Sequence, residues 1–413
     1  MAETASLRRF NPGETFISLK YPNYRLWFIG QLVSMVGTWM QSAAQGYLVY
    51  ELTGSAAYLG YVSFAAGLPS WFFTLYAGAI ADRIPRRTMM IITQSCMMAL
   101  AFILAALTFT GLVQPWHIII LAFLLGICNA FDAPARQAFV VELVEREVLT
   151  NAIALNATMF TSAIVVGPAV GGLTYAAVGP GWCFILNGIS FIAVIIALMM
   201  MKLKPMRRVS SKATAFSDIK QGLRHTWSDS TLRMLISNLG ITTIFGMSLV
   251  TLIPAWSVDI LGGDARTNGF MMSARGLGSL VGALMIAAMG RAKFRGWLWT
   301  VASLALPLVM FVFAGVRSIH LSLLLMAANG WAFVSLNNTT NAMVQSQVPD
   351  ELRGRVMGIY TLVFFGSMPI GSLIAGNVAD KFGAPFTVIL FSALLLLFAL
   401  FTFWRKPQIR RIG

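Results

Sequence analysis

Twelve long apolar runs constrain what this chain can fold into more than any other feature. A bilayer's hydrocarbon core of about 30 Å is crossed by about 20 apolar helical residues. Runs of that length fall at 24–50, 57–81, 88–111, 116–140, 150–177, 182–201, 231–257, 267–290, 297–315, 319–346, 354–378 and 385–404. A segment in hydrocarbon must satisfy its own backbone groups, so each run predicts a helix.

The charges say which side each turn faces. Only 11% of the 413 residues are charged, against about a quarter in soluble chains. The net charge of +15 would suit nucleic acid if the basic residues shared one soluble face. They do not, because they sit between apolar runs. With the N-terminus inside, 26 of the 30 Lys and Arg fall in cytoplasmic segments. The expected plan is a cytoplasmic tail at 1–23, a first bundle at 24–201 and a cytoplasmic linker at 202–230. A second bundle at 231–404 and a cytoplasmic tail at 405–413 follow. The stretch from Phe216 to Trp227 in the linker is partly amphipathic and suits a membrane surface. Met1 to Lys20 has no apolar core, so a cleaved signal peptide is not expected.

The halves repeat at offsets of 201 to 209 residues. Arg25 corresponds to Arg233, and Leu52-Thr53-Gly54-Ser55 to Leu261-Gly262-Gly263-Asp264. Gly60 corresponds to Gly269, His117 to His320, and Gly167-Pro168 to Met368-Pro369. The fold class expected is therefore all-α integral membrane, with 12 transmembrane helices in two pseudo-symmetric six-helix bundles.

Enzyme chemistry has little to stand on. There is no P-loop, HExxH or GxSxG pattern, and no dense carboxylate cluster for a metal. Cys96, Cys128 and Cys183 each lie inside an apolar run without metal-ligand spacing. No metal and no bound cofactor are expected. The expected partners are the lipid bilayer and a small molecule, with no nucleic acid, and the chain is expected to act as a monomer.

Several polar sets remain inside the apolar runs. Gln31, Ser34, Thr38, Gln41 and Gln45 are spaced 3, 4, 3 and 4 apart and form one helical face. Such a stripe lines a wet cavity or bonds to neighbouring helices. Asn238, Thr242 and Ser248 in the seventh run, and Asn337, Asn338, Asn341 and Gln345 in the tenth, are the sparser equivalents. Trp39, Trp256 and Trp331 lie in the same runs and could stack on an aromatic ligand. Asp132 and Arg136 are four apart in the fourth run and can pair. They read either as a coupling site at membrane depth or as a structural ion pair near the cytoplasmic surface that holds the fourth helix against its neighbours. Arg275 lies inside the eighth run. It could meet an acidic ligand, pair with Glu51 or Asp259, or snorkel to lipid phosphate. His117 and His320 read as interfacial residues at the outer face.

The turn from Gly78 to Arg87, GAIADRIPRR, resembles the signature loop of the major facilitator superfamily, G-x-x-x-D-R-x-G-R-K. Gly78, Asp82, Arg83, Arg86 and Arg87 fall in register, and Pro85 replaces the usual glycine. The resemblance implies a cytoplasmic gate at this turn; the plain alternative is a basic turn that fixes topology. Gly167, Pro168, Gly171 and Gly172, in GPAVGG, resemble the antiporter motif of the fifth helix in exporters, or else form a packing kink. QSQVPDELRGRVMG, Gln345 to Gly358, resembles the enterobactin-exporter branch. Together these imply a bacterial inner-membrane secondary transporter, with a proton gradient as its energy source and its ligand site at mid-membrane between the bundles, that exports a hydrophobic or amphiphilic small molecule, siderophore or drug-like, by alternating access. The alternatives are a lysophospholipid flippase of the same fold, or a scaffold or sensor that transports nothing.

Overall fold

A computed structural model of the chain describes residues 15–81, 84–203, 215–289 and 295–411, with side chains at all of these except 74–81, 215–220 and 411. Among the described residues every regular element is helical. The long helices are α1 (Pro22–Thr53), α2 (Ala56–Ala81), α3 (Arg86–Phe109), α4 (Pro115–Leu143), α5 (Leu149–Val178) and α6 (Pro180–Met200). They continue with α7 (Ser230–Ile260), α8 (Ala265–Met289), α9 (Arg295–Gly315), α10 (Ile319–Gln347), α11 (Asp350–Phe382) and α12 (Ala384–Arg405). Ten of them, α3 through α12, are long and apolar enough to cross a membrane. The polar stripe lowers the hydropathy of α1, which is 32 residues long. Several helices outrun their apolar cores: α11 begins at Asp350, where Asp350 and Glu351 suit the positive end of the helix dipole.

Packing repeats six helices apart. In the first half α1 packs on α5 and α6, α2 on α4, and α3 on α4 and α6. In the second half α7 packs on α11 and α12, α8 on α10, and α9 on α10 and α12. The halves meet where α2 packs on α11 and α5 on α8. Exchanging the halves turns each of these contacts into the other. The turns repeat as well. Gly54 and Gly262, with φ of 60° and 59°, follow α1 and α7; Gly179 and Gly383, with φ of 91° and 86°, follow α5 and α11. Residues with a Cβ rarely adopt these angles, so glycine ends the equivalent helices.

α7 departs from the single unbroken helix expected at 231–257. Its first segment ends at Gly246, and short turns at Ser248–Thr251 and Ile253–Ala255 lead to a π-helical turn at Trp256–Ile260. Pro254 has no N–H to donate back to the preceding turn, and Leu261 bonds instead to the carbonyl five residues behind it, at Trp256. The linker contains a helix, Ala215–Ser228, which lies along the start of α11 with Gly222 against the Arg355 backbone. Leu223 and Trp227 on it are exposed, as a surface-lying segment requires.

Candidate functional site

Asp132 is buried in α4, with its side chain 3% exposed. Its Oδ1 accepts from Thr93 Oγ1 at 2.8 Å and Gln94 Nε2 at 3.1 Å, both on α3. Its Oδ2 faces Arg136 Nε at 3.6 Å, and Arg136 Nη1 reaches Met35 Sδ on α1 at 3.6 Å. Asp132 is therefore dry, and its bonds to α3 suit a structural pair that holds α4 to its neighbour as well as a coupling site. Arg136 is the more exposed partner, at 21%. Asp132 thus faces one cation and two neutral donors, one from each of two side chains on α3. Thr93 and Gln94 were not legible as site residues, because they meet Asp132 only through the packing of α3 on α4.

The polar stripe of α1 turns mostly into protein. Gln31, Ser34, Gln41 and Gln45 are all buried. Gln41 Oε1 accepts from Asn187 Nδ2 on α6 at 2.7 Å, and Thr38 Oγ1 bonds back to the Ser34 carbonyl. Asn238 and Thr242 on α7 are buried too, and Thr242 Oγ1 bonds back to Asn238 O. Bonding between neighbouring helices, not an open cavity wall, is what Gln41 does here. Two amides of α10 lie nearer the open, although Asn337 is buried: Asn338 is exposed, and Asn341 accepts from the exposed Gln345 at 2.6 Å. Trp256 is fully buried against Phe313, and Trp39 packs edge-on against Phe160. Trp256 is thus part of the second-half core and offers no face to a ligand.

Hydrogen bonds between the halves gather where α1 ends and α2 begins. Tyr50 on α1 donates to Asp259 on α7. Asp380 on α11 accepts from Ser55 Oγ at 2.6 Å, and Tyr61 donates to Asn377 Oδ1 at 3.2 Å. Asn268 on α8 donates to the Ala43 carbonyl on α1. Glycines let the backbones approach here. A Cβ on Gly172 would lie 2.4 Å from Ala265 O, and one on Gly60 2.7 Å from Ser372 O. Within GPAVGG, Gly167 and Gly171 face α1, while Gly172 faces α8 across the halves.

At the Gly78–Arg87 turn, Asp82 and Arg83 lie outside the described residues, and Gly78 falls in the last turns of α2. Arg86 pairs with Glu142 of α4 at 2.7 Å. Arg87 donates to the carbonyls of Met199 and Met201 at the end of α6, where the helix dipole favours a cation. Both arginines thus tie α3 to other helices of the first half. His117 Nδ1 accepts from the Gln114 N–H and caps α4, while His320 is exposed at the start of α10.

Arg275 contradicts the pairing expected for it. Glu51 accepts from Tyr175, and Asp259 accepts from Tyr50. Arg275 instead donates from Nε to Asn329 Oδ1 at 3.2 Å and from Nη2 to Met247 Sδ at 3.0 Å. Its guanidinium stands 5.3 Å from the centre of the Phe333 ring. It turns toward α7 and α10 and does not snorkel to lipid.

The family model described as transmembrane secretion effector matches residues 14–410. The chain is 29% identical over 393 residues to the multidrug efflux pump Tap of Mycolicibacterium fortuitum, covering 92% of this chain and 95% of that one. It is 23% identical to the staphyloferrin A transporter of Staphylococcus aureus, covering 94% and 97%, and 24% identical to macrolide efflux protein A of Streptococcus pyogenes, covering 92% and 96%. Among solved structures it resembles the nucleoside transporter NupG, with a TM-score of 0.71 at 12% identity over 92% of this chain and 98% of that one. It also resembles a bacterial homologue of the human lysosomal transporter Spinster in an inward-facing, unoccupied conformation. There the TM-score is 0.70 at 13% identity over 98% of both chains.

Proposed function

The chain belongs to the transmembrane secretion effector family of the major facilitator superfamily, and from that premise we propose that it is a proton-coupled exporter of hydrophobic or amphiphilic small molecules. It is a multi-pass membrane protein of an efflux family and not an enzyme. The cargo is siderophore or drug-like, a reading supported by relatives named for multidrug, staphyloferrin A and macrolide transport. The lysophospholipid flippase reading has no support from these relatives and is set aside.

All twelve helices cross the inner membrane of a bacterial cell as two six-helix bundles, both termini are cytoplasmic, and the protein works as a monomer. The bundles rock about a cavity that opens to either side in turn. The conformation is inward-facing. In support, hydrogen bonds between the halves lie at the Tyr50–Asp259 and Ser55–Asp380 end, which the basic residues assign to the outside.

The observation that carries the coupling is Asp132, buried beside Arg136, Thr93 and Gln94. A proton taken up by Asp132 removes its charge and frees Arg136 to move. Release of that proton to the cytoplasm restores the pair. No bound cofactor is needed, since the gradient supplies the energy. Everted membrane vesicles test this. Acidifying the lumen should drive a labelled macrolide or siderophore inward, and Asp132→Asn should remove the drive. Unchanged accumulation by Asp132→Asn would refute the coupling.

A further inference from the structure

We propose that Arg275 and Asn329 form an anion-recognition site for an acid-bearing amphiphile. The proposal rests on the exporter reading and narrows its cargo to compounds with a carboxylate or another anionic group.

Arg275 lies ten residues into α8, about 15 Å along the helix by rise. A cation at membrane depth is costly and marks a function by default. Arginine does not escape the cost by losing its proton. Its partners among the described residues are all neutral: an amide oxygen, a thioether and an aromatic face. The guanidinium has five N–H donors, and these contacts leave most of them free for a ligand.

A second observation points the same way. Asn329 is 1% exposed, and its Nδ2 has no hydrogen-bond partner among the described residues. That amide already touches Arg275 through Oδ1, so an unused buried donor sits beside an unneutralised cation. Each of the two would gain from one anion, because an unpaired buried donor is itself costly. The backbone beside them is also irregular. α7 breaks after Gly246, and Met247 at the break contacts Arg275. Broken helices at membrane depth persist where they line a cavity. Meanwhile α8 and α10 approach so closely that a Cβ on Gly330 would lie 2.0 Å from Arg275 O, which fixes the guanidinium in register with Asn329 and Phe333. Phe364, half-buried with its ring centre 6.5 Å from that of the buried Phe333, supplies aromatic surface for the apolar part of the ligand. A negative cell interior would itself favour the outward movement of such an anion.

The test uses tritiated 2-naphthoate and its neutral isostere 2-naphthamide with the purified full-length protein in detergent. Naphthoate should bind saturably, and unlabelled acid should compete at least tenfold better than amide. Arg275→Gln should erase that preference, and Arg275→Lys should retain part of it. Asn329→Asp supplies Arg275 with an internal carboxylate. It should abolish acid binding while the apparent Tm holds or rises, which keeps the test decisive even if Arg275→Gln fails to fold. Absence of saturable naphthoate binding, equal competition by the amide, or a preference that survives Asn329→Asp would overturn the site. Macrolide efflux without acid preference would overturn this site alone. Acid binding without any efflux would overturn the exporter reading and leave the site standing.

Discussion

Gly60 and Gly376 meet across the two halves with no room for a side chain: a Cβ on Gly376 would stand 2.9 Å from the Cα of Gly60. The symmetry-related pair is Gly269 and Gly172, where a Cβ on Gly269 would stand 3.0 Å from the Cα of Gly172. Two glycine contacts, α2 on α11 and α5 on α8, thus bring the halves together at the end that the proposed topology puts outside. Valine at Gly269 or Gly376 should hold the outer ends apart. The expected result is an increased distance between spin labels at Leu112 and Arg317, and efflux reduced more than tenfold, with membrane insertion intact. Wild-type distances in both variants would show that the outer contact tolerates bulk.

Tyr50 and Asp259 join the halves at the same end. A hydrogen bond to a charged group contributes about 1.5–3 kcal/mol. Its loss from one conformation only would shift the inward–outward balance roughly 10- to 100-fold. Tyr50→Phe keeps the ring and removes the donor. It should increase labelling, by an impermeant thiol reagent added from outside, of a cysteine introduced at the exposed Asn338 of α10. Labelling equal to wild type would mean that the pair has no part in the closure.

The long helices were legible, ten of them apolar enough to cross a membrane, because a bilayer demands long apolar helices and leaves few alternatives. The break in α7 was not, because residues 247–260 are largely apolar and Pro254 is tolerated within a span. The stripe of α1 was visible from its period, but its direction was not. Lipid exclusion requires only that Gln41 avoid fatty chains, and Asn187 meets that requirement as well as water does. The same limit governed Arg275. Its acidic candidates were chosen by depth, and tyrosines from the first half already occupied both.

Gln41 and Asn187 form a buried pair, so removing one member leaves the other unsatisfied at a cost of about 1–3 kcal/mol. Asn187→Ala should lower the apparent Tm in detergent by several degrees and leave the rate of efflux per folded molecule near wild type. Thr38→Ala, which removes only a bond to the α1 backbone, should change the Tm little. A large loss of transport with unchanged Tm in Asn187→Ala would return the pair to the cargo pathway.

Asp132 offers the sharpest division between chemistry and packing. Asp132→Asn keeps the shape and can still accept from Thr93 and Gln94, but it removes the charge opposite Arg136. Accumulation driven by a pH gradient in everted vesicles should fall more than tenfold. Exchange of labelled for unlabelled cargo at equal pH should continue, because exchange needs no net proton movement. Thr93→Val removes one donor and keeps the acid, so it should reduce the driven rate less than Asp132→Asn does. Loss of exchange together with driven uptake in Asp132→Asn would assign the residue to the structure of α3 and α4, and the coupling proton would then have to be sought on another group.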